Sequence, residues 1–120
     1  MEAEPKRIEF YVLRDGKAPF ERWLNGLRDR RARARINARL ARVRLGNLGE
    51  TRDVGAGVHE LKIDYGPGYR LYFGNVGANV VLLLCGGDKS AQEADIKRAK
   101  EYWSEYKLRA AGQRDEERSE

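Results

Sequence analysis

Residues 58–75 read VHELKIDYGPGYRLYFGN, and the fold turns on how this stretch doubles back on itself. Apolar and polar residues alternate from Val58 to Ile63 and again from Tyr69 to Asn75, the period of a strand with one buried face. Asp64-Tyr65-Gly66-Pro67-Gly68 between them is turn chemistry, so the segment predicts a β-hairpin with a five-residue connection. Pairing Ile63 with Tyr69 sets Lys62 opposite Arg70, Leu61 opposite Leu71 and Glu60 opposite Tyr72. Leu61, Ile63, Tyr69, Leu71 and Phe73 then share the core face, and Lys62, Arg70 and Tyr72 share the other. A one-residue slip would exchange the two faces.

Beyond the hairpin, Asn75-Val76-Gly77-Ala78-Asn79 reads as a second turn. Val80-Val81-Leu82-Leu83-Leu84-Cys85 is a continuous apolar run, as in a central strand covered on both faces. Gly86-Gly87-Asp88-Lys89 is expected to break that strand. Ser90-Ala91-Gln92-Glu93 has capping-box spacing and opens a last helix with Ile96, Ala99, Trp103 and Tyr106 on its buried side. This helix is expected to fade near Arg109.

Before the hairpin, Ile8 to Leu13 is rich in strand formers and ends at Arg14-Asp15-Gly16. Pro19 suits a first helical turn. Phe20, Trp23, Leu24 and Leu27 follow it at the spacing of one buried face. Asp29 caps a second helix that runs to about Leu45 and stops at Gly46. Its apolar stripe is Ala32, Ile36, Leu40 and Val43, and the two helices form an αα-hairpin. A short strand is expected around Glu50–Val54. The order is strand, two helices, a three- or four-stranded antiparallel meander, then a helix. This is an α+β fold, one domain over residues 1–109 with a disordered acidic tail over 110–120.

The chain has 120 residues, 41% apolar and 36% charged, a globular rather than a disordered composition. No apolar run reaches the ~20 residues of a membrane span. No secretory leader is evident, and the single Cys85 rules out an internal disulfide, so a cytoplasmic location is expected. Residues 110–120 carry Arg114 and Arg118 against Asp115, Glu116, Glu117 and Glu120, a net of −2. The +5 of the chain therefore leaves +7 on the rest. A small body this basic points to an anionic partner, although surface charge also serves solubility.

The hairpin puts a cation between two aromatics, where a purely structural strand would carry Thr or Val. Lys62 opposite Arg70 costs roughly 0.2–1 kcal/mol, which a bound phosphate would reverse. Lys89, in the turn entering the last helix, joins them, because such turns expose backbone N–H groups to anions. Lys62, Arg70 and Lys89 are thus expected around a phosphodiester with Tyr72 nearby; the plainer alternative is a solvated polar face. His59, the only histidine, falls on the Leu61 side, as a partly buried residue or a general acid–base at the rim. Seven arginines within residues 30–44, among them Arg31, Arg35, Arg39 and Arg42, suit an RNA backbone, an acidic partner or a solvated face. No cysteine pair and no histidine set could hold a metal, and no cofactor is expected.

GPGYRLYF (66–73), VVLLLCGGDKSAQEADIKRAKEYW (80–103) and FYVLRDGKAPFERWLNGL (10–27) resemble the RelE/ParE superfamily of toxins. The resemblance covers roughly residues 8–106 and is strongest to the HigB-like branch, the addiction module killer proteins. It implies a RelE-like fold, with a helical hairpin and a C-terminal helix on a small antiparallel sheet. It implies the toxin of a type II toxin–antitoxin module, an mRNA interferase that cuts messenger RNA on the ribosome without a metal. In that chemistry a ribose 2′-hydroxyl attacks the adjacent phosphorus. The family's basic site residues fall on Lys62, Arg70 and Lys89. RelE has a tyrosine early in the last helix, where this chain has Ala94-Asp95-Ile96. Its role would pass to Tyr72, His59 or Asp88, or to the ribosomal RNA. The implied partners are the ribosome, mRNA and a cognate antitoxin, usually with a helix-turn-helix domain. The same superfamily includes ParE-like proteins that bind and inhibit DNA gyrase without cutting anything; the cationic cluster favours the nuclease.

Overall fold

The computed structural model describes residues 4–118, with side chains described through Gln113. Five strands and three helices follow in the order β1 (Arg7–Phe10), α1 (Pro19–Gly26), α2 (Arg30–Arg44), β2 (Thr51–Gly55), β3 (Val58–Ile63), β4 (Tyr69–Val76), β5 (Val80–Asp88) and α3 (Gln92–Arg118). The sheet order is β1-β5-β4-β3-β2. β2 to β5 form an antiparallel meander. The expectation of a wholly antiparallel sheet is corrected at one edge, because β1 pairs with β5 in parallel and the sheet is mixed. Hairpin turns fix the direction of β2 to β5. β1 has no hairpin neighbour, so nothing local in its sequence sets its direction.

The β3–β4 register is the one read from the turn: Ile63 faces Tyr69, Lys62 faces Arg70 and Glu60 faces Tyr72. The alternation therefore sorts side chains into two cores. One gathers Phe20, Ile36, Leu40, Leu61, Leu71, Phe73 and Leu83 between the sheet and α1 and α2. The other gathers Val58, Tyr72, Leu82, Leu84, Ala99 and Trp103 between the sheet and α3. The Asp29 carboxylate caps α2 as expected, accepting from the N–H groups of Arg31 and Ala32. At its other end Gly46 sits at φ 91°.

Two corrections concern the segment after Cys85. β5 runs through Gly86 and Gly87 to Asp88 instead of breaking there. The cap that follows is Asp88, not Ser90. Its side chain accepts from the Ser90 N–H at the start of a short 3-10 turn, and α3 begins at Gln92. The two glycines answer to packing rather than to turn conformation. A Cβ on Gly86 would run into the Trp23 ring on one face of the sheet. A Cβ on Gly87 would run into the Asp95 carboxylate on the other. Gly74 does the same for Trp103, whose ring would lie 2.5 Å from a Cβ there. Each tryptophan is seated on a strand glycine, one on each side of the sheet.

α3 also continues past Arg109, as far as Arg118. Arg109 reaches back from it, donating to the Val12 carbonyl at 2.8 Å. Residues 119 and 120 of the expected tail lie outside the described residues.

Gly86→Ala should lower stability by about 1–3 kcal/mol, the usual cost of overpacking. Trp23 has little room to yield, with Phe20 and Tyr69 rings 5.7 and 6.0 Å away. A urea midpoint measures the loss. Gly26→Ala, where the new methyl meets nothing within 4 Å, is the control and should lose none.

Candidate anion-binding cleft

The tight turn at the tip of the β3–β4 hairpin leaves a cleft of about 360 Å³ lined by Lys62, Arg70, Lys89 and residues 64–68. The structure thus brings together the three cations picked from the sequence. They arrive from β3, β4 and the 3-10 turn after β5. A larger hollow of about 780 Å³ lies at the opposite end of the sheet, between residues 4–7 and 76–80. Its cations are engaged: Lys6 donates to the Ala78 carbonyl and Arg7 pairs with Glu9 at 3.0 Å. None of the candidate residues lines it.

Arg70 is the buried member of the cluster, with 7% of its surface exposed. Nη1 donates to the Gly68 carbonyl at 2.8 Å. Nε lies 3.7 Å from Glu60 Oε2, near enough for an ion pair, yet is buried without a hydrogen-bond partner among the described residues. Glu60 is equally buried, at 6%. Its Oε2 also accepts from Gln92 Nε2 at 2.9 Å, and Arg52 Nη2 lies 3.3 Å from its Oε1. Glu60, Gln92 and Arg52 were missed at the level of sequence. The signal for Glu60 was present, since alternation puts this carboxylate on the face of Lys62 and Arg70.

The repulsion expected between Lys62 and Arg70 is therefore relieved inside the protein. Glu60 compensates Arg70, and Lys62 Nζ lies 3.3 Å from Asp64 Oδ1 on the surface. An anion is not required to make this register tolerable. Lys89 makes no ion pair among the described residues and is exposed. The expected free N–H groups beside it are partly used, because Asp88 holds the Ser90 N–H and hydroxyl. Those bonds hold the Asp88 carboxyl below its ordinary range.

The remaining candidates do not converge on the cleft. Tyr72 shares the Arg70 face but is fully buried, and its hydroxyl has no partner among the described residues. Burial, reinforced by the charge of Glu60, pushes this phenol above its ordinary range, so it stays protonated at neutral pH. His59 stacks on Phe73 with ring centroids 5.4 Å apart, on the α1/α2 side of the sheet. Burial pushes the Cys85 thiol up to about 12, which leaves it protonated and inert. Arg35, Arg39 and Arg42 line a second hollow beside β3, whereas Arg31 lies outside it at the start of α2. Among the described residues no group of three or more His, Cys, Asp or Glu is placed to hold a metal. No helix among them is long and apolar enough to cross a membrane.

A protein of Haemophilus influenzae is 52% identical to this chain over 81 residues, which cover 68% of the chain and 82% of that protein. The two belong to one family. The relative is described as an uncharacterized protein, so kinship brings no activity with it. No family model matches the chain.

Asp95 gives this region a pH signature. It is 5% exposed, and its Oδ2 has no hydrogen-bond partner among the described residues. Burial raises its pKa, against the pull of Arg98, whose Nη1 lies 3.3 Å from Oδ1. A folded value above the unfolded one means that the ionised carboxylate weakens the fold. Asp95→Asn should therefore be at least as stable as the parent at pH 7. Its advantage should vanish as pH falls through the ordinary value of 3.8. Urea midpoints at pH 7 and at acid pH test this; a large loss at pH 7 would contradict it.

Proposed function

We propose that the chain is a toxin of the RelE/HigB-like kind, a metal-independent endoribonuclease that cuts mRNA on the ribosome. The observation that carries this reading is Arg70. A nearly buried guanidinium, held by a backbone carbonyl and a buried carboxylate, lines a cleft that also presents Lys62 and Lys89. A pre-positioned arginine with lysines beside it is what an in-line displacement at phosphorus needs, because charge builds on the phosphoryl oxygens. A helical hairpin on one face of the sheet and a long helix on the other agree with a RelE-like fold.

The reaction balances without a redox partner. The 2′-oxygen bonds to phosphorus, the bond from phosphorus to the 5′-oxygen breaks, and a 2′,3′-cyclic phosphate and a 5′-hydroxyl result. A base must take the 2′-proton, and an acid must supply one to the leaving oxygen. Among this chain's candidates, Tyr72 is sealed and protonated, His59 is on the other face, and Asp88 is engaged by Ser90. The reading therefore gives the chain the electrostatic half of the catalysis and gives both proton transfers, removal from the 2′-oxygen and delivery to the 5′-oxygen, to the ribosome. Free protein should be nearly inert on naked RNA. A cognate antitoxin that covers the cleft and a cytoplasmic site of action belong to the same proposal.

The test is brief induction of the wild-type chain, Arg70→Lys and Lys89→Ala, followed by mapping of mRNA 5′ ends. Arg70→Lys keeps a cation beside Glu60 and so keeps the fold, but it loses the two-pronged grip on phosphate. Cuts inside translated codons are expected with the wild type, falling by roughly 10²–10³ in Arg70→Lys. Growth arrest without cuts, together with inhibited gyrase supercoiling, would overturn the nuclease reading in favour of a ParE-like binder.

A further inference from the structure

The cationic surface does not end at Lys62. The second hollow, about 430 Å³, carries Arg35, Arg39 and Arg42 of α2 and shares Lys62 and Asp64 with the first. Arginines spaced i, i+4 and i+7 follow one side of the helix for about 10 Å of its axis. None of the three makes an ion pair among the described residues. One phosphodiester has no use for six cations, so the joined hollows suit an anion several phosphates long.

Tyr65 stands where the two hollows meet. The Arg35 guanidinium lies over its ring, 4.6 Å from the centroid. Tyr65 is half-buried against the α1/α2 core and Arg35 is exposed, so the side of the stack toward solvent is the arginine's. The ring packs against the α1/α2 core on its way to the surface, and its main chain is held by the turn. Tyr65 N–H donates to the Ile63 carbonyl at 2.9 Å, and its own carbonyl accepts from Gly68 N–H at 3.1 Å. The Gly68 carbonyl in turn accepts from Arg70 Nη1. A single turn thus ties the main chain that carries the Tyr65 ring to the Arg70 guanidinium.

Unpaired bases stack on aromatic rings and on arginine planes, whereas a duplex keeps its bases inside. Resting on the RNA-cleaving reading of the same cleft, we infer that Tyr65 and Arg35 form a base-stacking platform for the nucleotide flanking the phosphate held by Arg70. The occupant is a single strand. An acidic protein segment would use the cations but would gain nothing from the stack.

Single-stranded oligodeoxynucleotides lack the attacking 2′-hydroxyl and so report binding alone. Their affinity, read by fluorescence anisotropy, is compared with that of a strand of equal length made abasic. The wild-type protein should prefer the strand with bases by about tenfold. Tyr65→Leu should erase the preference, and Tyr65→Phe should keep it. Equal binding of the two strands by the wild type would overturn the platform. So would a preference that survives Tyr65→Leu, or competition by charge-matched polyglutamate as strong as that by the strand with bases. The two readings fail separately: codon cuts without a base preference sink only the platform, and a base preference without cuts sinks only the nuclease.

Discussion

A carboxylate buried in the middle of a sheet is the constraint around which this domain closes. An ion of that size loses several kcal/mol on leaving water unless partners are built around it. Glu60 has three, and each comes from a different element: Arg70 from β4, Arg52 from β2 and Gln92 from the start of α3. An edge strand, a central strand and the last helix are thereby tied to one point on β3. Moving any of them would remove one of the partners of a buried charge. The hairpin register, the start of α3 and the placement of Arg70 are in this sense one fact.

The same arrangement shapes what the cleft offers an anion. Arg70 is partly neutralised by Glu60, so its contribution is geometry more than net charge. Long-range attraction falls to the exposed cations, Lys62, Lys89 and the arginines of α2, whose field is screened over about 10 Å at ordinary salt. On the proposed reading, a buried arginine orients and exposed cations attract, separate tasks for separate residues. Arg70 exchanged for lysine would keep the charge and lose the orientation.

Much of this was legible because the side-chain period of a strand is two and the turn at 64–68 is unambiguous. Together they fixed the register of β3 and β4, the core face through Leu61, Leu71 and Phe73, and the other face through Lys62 and Arg70. The apolar stripe of α2 and its Asp29 cap follow from spacing in the same way. What stayed hidden depends on contacts between distant segments. The parallel direction of β1 has no local signal. The glycine pair after Cys85 reads as a strand breaker, yet it exists because Trp23 and Asp95 press on the strand from both sides. The carboxylates that answer Lys62 and Arg70 make the repulsion inferred from the register a weak guide to a ligand. Asp64 and Glu60 were both within reach of the pattern, but the partners that complete the burial of Glu60, Gln92 and Arg52, come from other elements.

The close approaches at Gly74, Gly86 and Gly87 also explain how so small a domain covers both faces of its sheet. Helices stand off from a sheet by the size of the side chains between them. Removing a side chain from the strand lets an indole lie against the backbone, and a large apolar ring then does the work of several smaller residues. Trp23 does this for the α1 side and Trp103 for the α3 side, so both cores hang on β4 and β5. With those two strands held from above and below, the hairpin tip that carries Tyr65 and Arg70 projects from a rigid base. The turn needs only three local hydrogen bonds to hold its geometry. A site built on such a tip is positioned by the packing beneath it, and Tyr65 joins the two, packed against the α1/α2 core while it lines the cleft.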